Sequence, residues 1–261
     1  FKPTVLYAVP THYIAMLTLP NLATRYDLST LRLCISAGEA LPAAIWQRWQ
    51  AQTKLEILDT LGCTETIHKL LANRPDDLRP GSSGKPAPGC AIRLNNETGQ
   101  EATPGEIGNL LVKSECTPLF YLHQAEKSRA TFQGEWLFTG DKYYVDSDGF
   151  YWHVGRTDDT FKVGGLWVSP VEVESVLTSH PAVLECAVVG QADPQGLLKP
   201  KAFIRLNEGY SAATDLVRTV LSHCDTHLAA HKVPYWVEFV QELPKTATGK
   251  IQRYKLRAQG Q

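Results

Sequence analysis

Pro244-Lys245-Thr246-Ala247-Thr248-Gly249-Lys250 decides how this chain is read. Polar residues and Gly249 make a short turn, and the turn presents Lys250 near the C-terminal end. Alone it is a loop with a lysine. A phosphate-cradling Walker loop would need Gly five residues before Gly249 and Ser or Thr after the lysine. Those positions hold Pro244 and Ile251, so that reading fails. The turn gains meaning from three segments upstream: Ser36-Ala37-Gly38-Glu39-Ala40-Leu41-Pro42, Gly62-Cys63-Thr64-Glu65, and Phe138-Thr139-Gly140-Asp141 followed by Gly155-Arg156.

Bulk properties narrow the field. A chain of 261 residues, 43% apolar, holds one or two domains with a real core. A formal charge of -1 gives no electrostatic reason to expect nucleic acid. No apolar run approaches a membrane span, so no membrane partner is expected. The first residues carry no basic stretch leading into an apolar run, so no secretory leader is read there. The six cysteines are scattered without a CxxC pair, which fits a reducing cytoplasm. The chain starts at Phe1, which reads as a fragment or a processed product.

The expected organisation is part α/β, part α+β. In 1–78, a partial N-terminal α/β subdomain, Leu31–Ser36 reads as a buried strand and Pro42–Gln52 as a helix with proline in its first turn. Lys54–Leu58 reads as a second strand and Glu65–Ala72 as a helix. That leaves the Ser36–Ala40 and Leu61–Glu65 loops at strand carboxyl ends, where open α/β sheets hold ligands. From 79 to 155 Gly and Pro become frequent, and Ala91–Leu94 and Ile107–Lys113 read as strands of a small β-rich subdomain. From 157 to 261 the pattern is α+β. Ser169-Pro170 caps a helix, Val183–Val189, Ala202–Leu206 and Trp236–Val240 are strands, and Thr214–Leu228 is a helix.

Each motif also has an ordinary reading. Ser36–Pro42 serves as a strand-to-helix turn. Thr64-Glu65 serves as a helix cap with an early acid. Thr139-Gly140-Asp141 and Arg156 serve as a surface turn and a surface arginine. His223, His227 and His231, spaced four apart, could share one helix face; without an HExxH arrangement a polar face is the default. Asn96-Glu97-Thr98 is a glycosylation sequon, irrelevant without a secretory route.

The four segments in this order, from Ser36 to Lys250, resemble the adenylate-forming superfamily: acyl-CoA ligases, firefly luciferases and peptide-synthetase adenylation domains. The resemblance implies the C-terminal part of such an enzyme, with a mobile α+β domain after a hinge at 156–159. It implies ATP and AMP contacts from Gly38, Glu39, Ala40, Asp59, Thr60, Leu61, Gly62, Asp141 and Arg156. Thr64 would meet the α-phosphate, and Glu65 would bind Mg2+, a hard cation that prefers carboxylate oxygen. Lys250 would be the adenylation lysine, Asp158 the hinge, and Lys162, Gly164 and Gly165 would line the pantetheine tunnel.

The finer resemblance is to aryl-CoA ligases, especially benzoate-CoA ligases, carried by Val9–Tyr13, Gly62–His68, Lys127–Phe132 and Trp167–Glu174. It places His12, Ala37, Gly62, His68 and Lys69 at the acyl pocket. It implies a compact aromatic acid as substrate, with CoA as acceptor or, as an alternative, a carrier-protein phosphopantetheine. His12 and Lys69 stand where relatives are apolar. A buried lysine against a bare ring lacks a partner, so a hydroxyl, an amino group or a ring nitrogen is expected on the acid. The family's Ser/Thr/Gly-rich phosphate loop has no counterpart in 1–261. The 261 residues alone are therefore expected to adenylate poorly beside the full parent, and a non-catalytic fragment is the third reading.

Overall fold

Three short strands, β1 (Val5–Ala8), β2 (Leu33–Ser36) and β3 (Ile57–Gly62), pair in parallel and in sequence order. This computed structural model describes residues 2–67, 69–247 and 249–258. Helices α1 (Pro10–Leu17), α2 (Leu22–Arg25) and α3 (Ala43–Thr53) supply the apolar cover of the parallel strands. The contact is made by Tyr13, Leu17, Leu41, Ile45 and Trp49 against Ala8, Cys34 and Ile57. Tyr13 meets Trp49 edge-on at 4.9 Å between ring centres, and its hydroxyl donates to the Ile35 carbonyl at 2.9 Å. Burying an aromatic body while satisfying its polar tip is what makes a tyrosine tolerable there.

The sheet then turns antiparallel through β4 (Lys69–Ala72) and β5 (Lys85–Pro86). This corrects the helix expected over Glu65–Ala72. Thr64–Thr66 form one 3-10 turn, and Ile67 takes φ +65°, ψ -41°, which no helix continues. The apolar pair Leu70-Leu71 is fully buried in a strand. A short apolar run does not by itself separate helix from strand.

A second sheet, antiparallel throughout, comes next in the chain. It contains β6 (Cys90–Asn95), β7 (Gly108–Ser114), β8 (Phe132–Gln133), β9 (Trp136–Val145) and β10 (Tyr151–Arg156), with order β10-β9-β7-β6 and β8 beside β9. Helix α4 (Ala125–Thr131) precedes β8. Leu94, Leu110, Val112 and Tyr143 pack with Leu70 and Leu71, so one core joins the two sheets.

Contacts divide the chain at Thr157/Asp158 into two compact units. The second opens with a hairpin, β11 (Phe161–Val163) and β12 (Leu166–Val168). Helix α5 (Pro170–Ser179) starts with Ser169, whose hydroxyl accepts from the Glu172 N–H at 3.1 Å, and with proline in its first turn. Strands β13 (Val183–Ala192) and β14 (Leu198–Leu206) pair antiparallel, helix α6 (Thr214–His227) comes after them, and β15 (Trp236–Phe239) pairs parallel to β14. Helix α7 (Arg253–Ala258) ends the described chain. Val173, Leu177, Val188, Ile204 and Val220 form the core of this unit.

Candidate active site

The carboxyl ends of β2 and β3 lie side by side, with Ser36 opposite Asp59. Asp59, Thr60, Leu61 and Gly62 are strand residues, so the expected Leu61–Glu65 loop shrinks to the residues after Gly62. The Thr60 hydroxyl donates to the Ser36 carbonyl at 3.0 Å. The Asn73 amide donates to the carbonyls of Asp59 and Ser82 at 3.1 and 2.8 Å. Asp59 Oδ2 accepts the Leu41 N–H at 3.2 Å and so ties the far end of the Ser36–Pro42 loop to β3. Burial pushes the Asp59 carboxyl up to about 7, with the Leu41 N–H acting in the opposite direction. Within the loop Gly38 has φ +93°, where a side chain would be strained. Ala37, Glu39 and Ala40 are half-buried around it.

Thr64 and Glu65 sit on the 3-10 turn after β3, with Thr64 exposed and Glu65 half-buried. Thr64 is the first residue of that turn, and the extended residue before it is Cys63, so Thr64 is no helix cap. Glu65 Oε1 accepts the Tyr121 hydroxyl at 2.6 Å, and Lys127 Nζ stands 4.3 Å over the Tyr121 ring. Burial alone raises the Glu65 carboxyl, but the Tyr121 hydroxyl, neighbouring donors and the Lys127 charge outweigh it and hold it below the ordinary value. The phenol moves the other way, to about 12, through burial and the adjoining carboxylate. Glu65 is therefore an anion at neutral pH. Mg2+ is commonly held by one or two carboxylates plus substrate phosphates, and Glu65 fits that requirement.

Asp141 on β9 pairs in register with Arg156 at the end of β10. Arg156 Nη1 lies 3.4 Å and His153 Nε2 3.5 Å from Asp141 Oδ1. Burial raises this carboxyl, yet His153, Arg156 and the Thr139 hydroxyl together bring it below the usual range. Gly140 has φ +78°, and a Cβ there would stand 2.9 Å from Arg156 Nη2. The glycine therefore both permits the turn and lets the guanidinium lie across it. The charges of Asp141 and Asp59 both raise the buried Tyr143 phenol, after burial itself, so one ring feels both carboxylates.

Lys69 begins β4 directly opposite Gly62. It is half-buried, burial lowers its ammonium, and Nζ stands 5.4 Å from the Tyr7 ring centre. His12 is exposed on α1. His68 lies outside the described residues.

In the second unit Gly164 and Gly165 have φ +57° and +82° and join β11 to β12 as a two-residue turn. Positive φ at both positions is what such a hairpin needs, a local reason for the glycine pair that needs no tunnel. Lys162 Nζ stands 4.6 Å over the Trp167 ring. Asp158 is exposed at the start of the unit. Lys250 is exposed on a closed turn: Lys250 N–H donates to the Thr246 hydroxyl at 3.1 Å, and Thr246 N–H to the Lys250 carbonyl at 2.8 Å. His223 and His227 on α6 lie with ring centres 4.6 Å apart and planes tilted by 39°, whereas His231 lies beyond the helix in a 3-10 turn facing the Trp167 carbonyl. The three rings thus do not share one helix face.

Two family models match the chain. The AMP-binding enzyme model covers residues 1–122, and the AMP-binding enzyme C-terminal domain covers 172–250. The chain belongs to the AMP-binding enzymes.

Among this family a benzoate–CoA ligase of Thauera aromatica is 49% identical over 98% of this chain and 49% of its own length. A crystal structure of an anthranilate CoA ligase in complex with anthranoyl-AMP is 57% identical, with TM-score 0.97, over 100% of this chain and 50% of that one. A benzoate CoA ligase from Burkholderia xenovorans is 47% identical, with TM-score 0.92, over 98% and 51%. The chain spans about half the length of the relatives it matches. As expected from sequence, this chain has a mixed α/β fold with several sheets, and it matches about half of each of these structures. In this chain the sequence reading missed Tyr121, which lies 56 residues from its partner in a stretch with no motif of its own. Among the described residues no helix is long and apolar enough to cross a membrane.

Proposed function

We propose that this chain belongs to an acid–thiol ligase that activates an aromatic carboxylic acid with ATP and passes the acyl group to CoA. The observation that carries the reading is the likeness, over the whole of these 261 residues, to an anthranilate CoA ligase caught with its aryl-adenylate. Three features of the chain support it: the Asp59-braced loop, the ionised Glu65 and the Asp141–Arg156 pair.

The acid's carboxylate oxygen attacks the α-phosphorus, and the bond to pyrophosphate breaks. Two anions approach, so a positioned cation lowers the barrier; Lys250 has that role. The Thr64 hydroxyl donates to an α-phosphate oxygen. Asp141 accepts from the ribose hydroxyls, and Arg156 donates to ribose or phosphate oxygen. The backbone of Gly38–Ala40 and Asp59–Gly62 borders the adenine. Glu65 would hold Mg2+, which neutralises phosphate charge when bound. A thiol sulfur then attacks the acyl carbon, the bond to AMP breaks, and the thiol proton goes to solvent. Turning about Asp158 exchanges Lys250 for the Lys162–Gly165 hairpin between the two steps, so one site runs two reactions.

The acid carries a polar ring substituent. Lys69, Gly62, Ala37 and His12 border it, and Lys69 supplies the donor. A 57% identical relative that binds anthranoyl-AMP fits an amino group at that place. Acid-dependent ATP–pyrophosphate exchange on the whole gene product tests the reading. Exchange driven by benzoic, aminobenzoic or hydroxybenzoic acid is expected. Exchange driven only by aliphatic acids, or by none, overturns it.

A further inference from the structure

The Lys250 turn is gripped at both feet by carboxylates from elsewhere in its unit. On one side Lys245 Nζ meets Glu185 Oε2 at 2.6 Å, and Arg205 holds the other oxygen of that carboxylate at 3.2 Å. On the other side Arg253 embraces Glu174, with Nε to Oε1 at 3.1 Å and Nη2 to Oε2 at 2.7 Å. Glu174 Oε1 also accepts the Val188 N–H at 2.8 Å, which locks it to β13. Both carboxylates are nearly sealed from solvent, with side chains 6% and 11% exposed for Glu185 and Glu174. Just outside the feet in the chain, Leu243 and Leu256 are buried against Ala187, Val189 and Phe203, with Ile251 packed beside them. The turn is closed on itself by the Lys245–Ile251 bridge and by the Gln252 N–H to the Pro244 carbonyl at 2.8 Å.

An exposed turn does not need two buried ion pairs to exist. Desolvated carboxylates are costly unless their geometry is satisfied. What such pairs supply is a fixed place for the backbone between them. Positioning matters most for a lone cation acting on an in-line reaction, where an error of about 1 Å can cost on the order of a hundredfold in rate.

We propose that Glu185 and Glu174 are positioning residues that clamp the feet of the Lys250 turn and serve the adenylation step alone. The inference rests on the role given to Lys250 above. Neither carboxylate touches substrate. They act through Lys245 and Arg253 on where Lys250 is held.

The test separates the two half-reactions on the whole gene product. Adenylation is followed by pyrophosphate release, and thioester formation by supplying synthetic aryl-adenylate with CoA. Lys250→Ala is the reference for loss of the first half-reaction. Glu185→Gln is expected to slow adenylation by about a hundredfold, leaving the thioester step near its starting rate. Glu174→Gln is expected to do the same. A thermal melt checks each variant; where one does not fold, Lys245→Gln, which releases one foot from the turn's own side, carries the test with the same expectation. Unchanged adenylation in folded variants overturns the clamp, as does an equal fall in both half-reactions. If Lys250→Ala itself leaves adenylation intact, the role of the lysine fails first and the clamp falls with it.

Discussion

The Tyr121 hydroxyl donates to Glu65 Oε1 at 2.6 Å and fixes the carboxylate on the turn after β3. Lys127 lies over the same phenol ring, so a cation backs the pair. Glu65 thus has a defined orientation and stays ionised.

Tyr121→Phe removes the donor and keeps the ring. A hydrogen bond to a charged group contributes about 1.5–3 kcal/mol. The Mg2+ concentration for half-maximal pyrophosphate release is expected to rise by roughly ten- to a hundredfold, with the KM for the acid little changed. An unaltered Mg2+ response would remove Glu65 from metal binding or Tyr121 from its support. Titration of Mn2+ with ATP by electron paramagnetic resonance reads the same shift without turnover.

Gly140→Ala probes the second site. A non-glycine residue in the left-handed region costs roughly 1–2 kcal/mol, and the new Cβ displaces the Arg156 guanidinium. A lower melting temperature and a higher KM for ATP are expected together. A drop in melting temperature with ATP binding intact would mean that Arg156 has no part in nucleotide binding.

Asp59 gives a pH signature. Its folded-state carboxyl stands near 7, above the ordinary value, so the folded chain holds a proton that the unfolded chain releases. Its contribution is fully present below the unfolded value near 4 and is lost as pH rises through about 7. The loss at higher pH is on the order of a few kcal/mol. Asp59→Asn removes this pH dependence, so melting temperature compared between pH 4 and pH 8 should fall less in the variant than in the parent. A parallel fall in both proteins would show that Asp59 is ionised throughout.

Lys69→Ile tests acid selection. The ratio of kcat/KM for aminobenzoate over benzoate is expected to fall by about tenfold, the effect of roughly 1.4 kcal/mol. An unchanged ratio would mean that Lys69 does not face the ring.

Much of this was legible in the chain, and the gaps have physical causes. Ser36–Pro42, Thr64-Glu65, Asp141 and the Lys250 turn are local signals, because turns need particular residues in order. The helix expected over Glu65–Ala72 became a 3-10 turn and a strand because pairing of Lys69–Ala72 with β3 outweighs local pattern. Tyr121 was invisible since its role exists only once its loop and the turn after β3 are folded beside each other. Lys245 lies inside the motif and Arg253 just after it, but their partners Glu185 and Glu174 come from β13 and α5. The glycine pair 164–165 was noticed for a tunnel, while its own hairpin already requires it.

The most direct measurement is product identity. The whole gene product is incubated with ATP, Mg2+, CoA and a panel of benzoic, aminobenzoic, hydroxybenzoic and short aliphatic acids, and the products are read by mass spectrometry. Aryl-CoA esters with AMP, favouring a ring with a polar substituent, are the predicted result. Acyl-CoA formed from aliphatic acids alone, or no acyl-adenylate and no CoA ester from any aromatic acid, would contradict the account.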